Sequence, residues 1–159
     1  MSPTPPWKWK ENDLLALQRQ KVPERLDLEY KSAVALDNRD RNKHEISKDV
    51  SAMANSAGGV VIYGAAEDKK TRVISSINSI DLATTPPEWL EQVINSRIQP
   101  RIDGVRINPV PLTTADPGKV AYVVSIPQST RAPHMMLIIV ITSAWVQLRT
   151  LWKHTNSAM

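Results

Sequence analysis

Between residues 26 and 64 the hydrophobic period of the chain changes twice, which limits the folds open to it more than any other feature. Leu26, Leu28 and Tyr30 alternate with Asp27, Glu29 and Lys31, the two-residue period of a half-buried strand. Both carboxylates and the lysine then share the polar face. After a charged loop, Ile46, Val50, Met53 and Ala57 recur at helical spacing, with Asn42 and Glu45 placed as a capping box and Gly58 as the C-terminal stop. Gly59 then opens Val60, Val61, Ile62 and Tyr63, a largely β-branched run closed by Gly64 that suits a central strand. The succession is strand, helix, strand.

On either side the signals are shorter. Residues 11–20 carry Leu14, Leu15 and Leu17 behind acidic residues and before Pro23, which predicts a short helix on the edge of the core. Thr85, Pro86, Pro87 and Glu88 form a second capping pattern, leading into Trp89, Leu90, Val93, Ile94 and Ile98. Two apolar stretches, residues 106–112 and 120–126, flank a segment rich in turn formers (Asp116, Pro117, Gly118), so a β-hairpin is expected. The fold class expected is α+β: a single compact domain with a mixed β-sheet flanked by two or three helices. A chain of 159 residues suits one such domain. Its expected organisation is a flexible arm over residues 1–10, the domain over 11–134 and an atypical apolar tail over 135–159. In that tail, residues 135–148 hold no charged side chain although 23% of the chain is charged. So short a run falls below the ~20 residues that span a bilayer, so a buried strand or a sticky interface is expected there and no membrane partner.

Composition removes several chemistries. Cysteine is absent, which excludes disulfides, thiolate nucleophiles and cysteine-rich zinc sites and makes a cytoplasmic setting the default expectation. The proline- and lysine-bearing start is followed by no apolar stretch of the secretory kind. No P-loop is present, and His44, His134 and His154 stand singly, without the spacing of a metal site. The formal charge of +4 favours polyanionic partners. Its densest stretch is Arg39, Arg41, Lys43 and Lys48, interleaved with Asp40, Glu45 and Asp49 as on a solvated helix face. Trp7 and Trp9 alternate with Lys8 and Lys10, a pattern that suits base stacking with charge support and equally an exposed arm or a hydrophobic anchor.

Residues 28–31 (LEYK), 46–59 (ISKDVSAMANSAGG) and 60–64 (VVIYG), followed by Glu67 and Asp68, join a Glu-aromatic-Lys strand to a helix ending in an Asn-x-x-Gly-Gly corner. An apolar strand closed by glycine and acids completes the pattern. In this the chain resembles the Schlafen AlbA-type domain. Residues 89–92, Pro100 with Gly104, residues 126–129 and residues 132–134 resemble later landmarks of that family, so the resemblance covers about residues 14–135. Beyond it the family pattern is lost, which a frameshifted or truncated C-terminus would explain together with the missing charge.

The resemblance implies a nucleic-acid-binding module, as at the N-terminus of bacterial transcriptional regulators. Lys31, Arg39, Arg41, Lys43 and Lys48 are then the candidates for phosphate contacts to DNA or RNA. A homodimer is compatible with this reading. Relatives that cleave structured RNA imply an alternative, a metal-dependent endoribonuclease. Its catalytic and metal-holding trio would be Glu24, Glu29 and Glu67, with Mg or Mn as cofactor, Asp68 as a competing counterpart of Glu67, and Lys31 stabilising developing charge. A third expectation is a protein-interaction domain without catalysis.

Overall fold

The structure, a computed structural model, describes residues 3–137. Helix α1 (Glu11–Arg19) begins where the Lys10 backbone N–H donates to the Asp13 carboxylate, and it buries Leu14 and Leu17. Strand β1 (Leu28–Lys31) shows the expected alternation, with Leu28 and Tyr30 buried and Glu29 and Lys31 half-buried. It starts later than the period suggests. Leu26 is 97% exposed, because Arg25 and Leu28 exchange backbone hydrogen bonds and turn the chain there.

Helix α2 (Asp40–Asn55) buries Ile46, Val50, Met53 and Ala54 along one face. Its start corrects the expected capping box. Arg39 holds the capping position, and Asn42, inside the first turn, donates to the Val34 carbonyl at 3.0 Å and to Asp37 Oδ1 at 3.1 Å. These bonds tie the helix to the 3-10 turn Ala33–Leu36. At the other end Gly58 adopts φ +76°, and its N–H donates to the Met53 carbonyl at 2.9 Å, closing the helix as the glycine pair suggests.

The chain then runs through β2 (Gly59–Tyr63), a hairpin of β3 (Ala65–Glu67) and β4 (Ile74–Ile77), α3 (Pro87–Arg97), β5 (Ile98–Gln99), β6 (Arg106–Leu112), β7 (Lys119–Ile126) and β8 (Met135–Met136). The β3–β4 hairpin has no counterpart in the expected elements, and the β5–β8 pair takes Ile98 from the expected helix into a strand and starts a strand at Met135, which is exposed rather than buried. In α3 a proline does open the helix, but no side chain caps it. The Thr85 carbonyl accepts the Tyr122 hydroxyl instead, at 2.5 Å.

Four strands form the main sheet in the order β1-β2-β7-β6. The β1–β2 pair is parallel and the other two are antiparallel, so the sheet is mixed. Helices α2 and α3 cover one face, where Val61, Tyr63, Val120, Tyr122, Val124 and Ile126 join Ile46, Val50, Leu90 and Ile94. On the other face Leu28, Tyr30, Val60, Ile62, Ala121 and Val123 meet Leu14 and Leu17 of α1. Strands β2 and β7 are buried on both sides, which is why they read as continuous apolar runs. Edge strand β6 carries Pro109 and Pro111, tolerated where a strand has a free side.

Trp9 also belongs to the second core, at 4% exposure. Trp9 is thus the hydrophobic anchor among the readings its sequence left open, and not a stacking residue on an exposed arm. Its indole donates to the Thr4 carbonyl at 2.8 Å, and Asn108 of β6 donates to the Pro6 and Trp9 carbonyls. Trp7 remains 41% exposed, with the Arg106 guanidinium 4.5 Å from its ring centroid. No helix among the described residues is long and apolar enough to cross a membrane. The expectations for the apolar tail beyond Leu137 lie outside the described residues.

Candidate nucleic-acid interface

The expected acidic trio is divided. Glu24 lies at the open edge of β1, where its carboxylate accepts the Tyr30 backbone N–H at 2.7 Å. The β3–β4 hairpin brings Glu67 beside it, and the Arg72 guanidinium pairs with both carboxylates, contacting Glu67 at 3.3 Å. Burial pushes the Glu24 carboxyl above the usual carboxylate range, and the adjacent Glu67 adds to the rise. Glu29 stands apart from this pair. It occupies the polar face of β1 and holds Lys31 in a 2.7 Å ion pair, with Asp49 of α2 on the same ammonium at 3.3 Å. Asp68, the competing candidate, is exposed and closes its own turn by accepting from Lys70, Thr71 and the Thr71 hydroxyl.

A divalent cation requires several oxygen ligands converging on one point. Among the described residues no group of three or more His, Asp or Glu side chains is disposed to hold one. A guanidinium already stands between Glu24 and Glu67, so the residues as arranged do not fit Mg or Mn.

The expected cations are better gathered. Lys31, Arg39 and Arg41 line one cleft of about 280 Å³, between the Ala33–Leu36 turn and the first turns of α2. Arg39 pairs with Asp37 at 2.7 Å yet stays 77% exposed. Arg41 is exposed and has no ion-pair partner among the described residues. Burial opposes the charge on Lys31, but its bond to Glu29 and the field of Asp49 outweigh that and raise its pKa. Lys43 points to another depression, of about 710 Å³, shared with His44, Trp89 and Arg97. Lys48 is bound to Glu45 at 2.5 Å.

Three residues of this region went unforeseen as site residues. Asp49 and Tyr63 line the cleft with Lys31, and Arg72 fills the Glu24–Glu67 pair. Asp49 sits next to a lysine in sequence and reads as part of a wet helix face; only the packing of α2 against β1 turns it toward Lys31. Of the histidines, His134 is buried and structural. Its Nδ1 bonds the Pro100 carbonyl, its Nε2 bonds the Ser129 hydroxyl, and its backbone exchanges hydrogen bonds with the Asn55 amide.

The family whose model is described as Schlafen, AlbA_2 matches residues 24–146, running past the region where the resemblance was expected to end. Among solved structures, the chain is similar to the DIP2311 protein from Corynebacterium diphtheriae, at 18% identity and a TM-score of 0.42, covering 77% of this chain and 23% of that one. The chain therefore spans less than a quarter of the length of that protein. No curated protein matches it. With Glu29, Lys31 and the Asn-x-x-Gly-Gly corner inside a match over most of its length, the chain belongs to the Schlafen AlbA_2 family.

Proposed function

We propose that this chain is a nucleic-acid-binding module of a regulator-type protein, acting in a cytoplasmic setting. The observation that supports this is the pair of exposed guanidiniums, Arg39 and Arg41, at the mouth of the cleft beside the start of α2. Arginine contacts phosphate through a planar fork of donors, and neutralising phosphates releases condensed counterions. Of the remaining expected cations, Lys43 can extend the contact across α2. Lys31 and Lys48 are held by carboxylates and supply less. Contacts of this kind position a backbone and carry no base sequence.

Labelled tRNA and duplex DNA, incubated with the purified chain with and without magnesium or manganese, test the reading by gel shift and by cleavage. The expected result is a shift that survives chelation and weakens steeply with salt. In the Arg39→Ala/Arg41→Ala double variant the slope of log affinity against log salt should fall by roughly 2, one unit per lost phosphate contact. Metal-dependent cleavage abolished by Glu29→Ala would instead support the endoribonuclease. Silence in both assays would support a protein-interaction domain.

A further inference from the structure

The floor of the cleft differs from its mouth. Tyr63, at the end of β2, is 1% exposed, and its hydroxyl has no hydrogen-bond partner among the described residues. A buried hydroxyl without a protein partner costs folding stability, so a ligand group that hydrogen-bonds it recovers that cost. Beside it, two carboxylates, Glu29 and Asp49, face the single ammonium of Lys31, and a third, Glu45, lines the same cleft while paired with Lys48. Asp49 is 11% exposed at its side chain. Val34, Ala35 and Ile46 supply apolar walls, and Val34 stands 68% exposed on the lip. From mouth to floor the cleft thus passes from guanidinium, through aliphatic wall, to carboxylate acceptors and a hydroxyl that can donate or accept.

We propose that this cleft is a pocket for one unstacked nucleotide whose base carries an exocyclic amino group. Its phosphate would lie at Arg39 and Arg41, the base faces between Val34 and Ile46, and the amino group against the Asp49 carboxylate and Tyr63 hydroxyl. The assignment rests on the preceding proposal that Arg39 and Arg41 hold phosphate. Cytosine and adenine present an amino donor on their pairing edge, which the Asp49 carboxylate accepts well, whereas uracil presents a carbonyl there that the carboxylate repels. A volume of about 280 Å³ lies near the small end of ligand pockets, suited to one nucleotide rather than to a helical segment. A base inside a duplex cannot reach such a floor unless it leaves the stack, so unpaired residues are favoured.

The test is fluorescence anisotropy of the full chain with labelled oligocytidine, oligouridine and a blunt RNA duplex of equal length. The variants are Tyr63→Phe, Asp49→Asn and Arg39→Ala/Arg41→Ala. Tyr63→Phe removes the hydroxyl while keeping the ring in the core, so it reads the pocket even where Asp49→Asn disturbs folding. Oligocytidine should bind about tenfold more tightly than oligouridine or duplex, and Tyr63→Phe should lower that advantage several-fold without changing duplex binding, in keeping with the loss of one hydrogen bond. Competition by free cytidine monophosphate as strong as that by oligocytidine would support the pocket with a free nucleotide as occupant; competition by the oligonucleotide alone would support an unpaired residue of a strand. Equal affinity for all three ligands, unmoved by Tyr63→Phe but reduced by the double arginine variant, would overturn the pocket and leave the binding module standing. Binding to none of them would overturn the pocket, and the binding module as well where tRNA and duplex DNA also fail to shift; binding indifferent to the arginines would overturn both.

Discussion

Glu11 shows how much of this domain rests on a single side chain. It opens α1, yet its carboxylate reaches residues about a hundred positions away, accepting from the Thr113 N–H and hydroxyl, the Thr114 N–H and the Ala115 N–H at 2.7–3.1 Å. The Ala115 amide, followed by the Thr113 hydroxyl, holds its pKa down at about 2 from an ordinary 4.5. A carboxylate depressed in this way contributes stability in full above its unfolded value, and that contribution is lost as the pH falls toward and through about 2. Glu11→Gln should therefore lower the Tm by several degrees at neutral pH, with the gap to the native chain narrowing between pH 5 and pH 2, as read by thermal melts across that range. No local pattern announces this role, because the acid is a normal first-turn residue for a helix and its partners are supplied by the β6–β7 turn.

At the scale of elements, the corner between α2 and β2 carries the most constraint. A Cβ on Gly58 would stand 2.6 Å from the Ile126 carbonyl oxygen and 2.7 Å from the Gln128 nitrogen, both rigid backbone atoms. Gly118, in the β6–β7 turn, has a similar φ of +86° with nothing within 4 Å of that position. Gly118→Ala should thus cost only the left-handed conformation, about 1–2 kcal/mol, and Gly58→Ala distinctly more, a difference that parallel denaturant titrations will read. The corner itself is legible because two glycines after a helical period signal a stop. The start of the same helix was not, since the Asp37 carboxylate and the Val34 carbonyl drew Asn42 away from capping. The β3–β4 hairpin escaped the periodic reading because neither Ala65–Glu67 nor Ile74–Ile77 alternates apolar with polar residues, and the pairing register shifts between Ala66 and Glu67.

In the whole molecule, one mixed sheet separates two cores, so a residue's value depends on its layer and not on its hydrophobicity. Ile62, at 0% exposure in doubly covered β2, and Leu26, at 97% exposure just before β1, are both aliphatic side chains. Ile62→Ala should cost about 2–5 kcal/mol by denaturant midpoint, whereas Leu26→Ala should stay within roughly 0.5 kcal/mol of the native chain. The layering also sets the chemistry. Glu29, Lys31 and Asp49 meet on the α2 side of β1, while Glu24, Glu67 and Arg72 meet at the sheet edge, which separates carboxylates that lie five residues apart in sequence.

The sequence by itself determined the strand-helix-strand succession, the β6–β7 hairpin, the α+β class and the shared face of Glu29 and Lys31. Each of these is a repeating local pattern whose cause lies within a few residues. Tertiary structure alone decided that Asp49 and Tyr63 join Lys31 in the cleft, that Arg72 fills the Glu24–Glu67 pair, and that Trp9 is buried. Those outcomes depend on which elements pack together across long stretches of chain, and burial and ion pairing are properties of that packing rather than of any local run of residues.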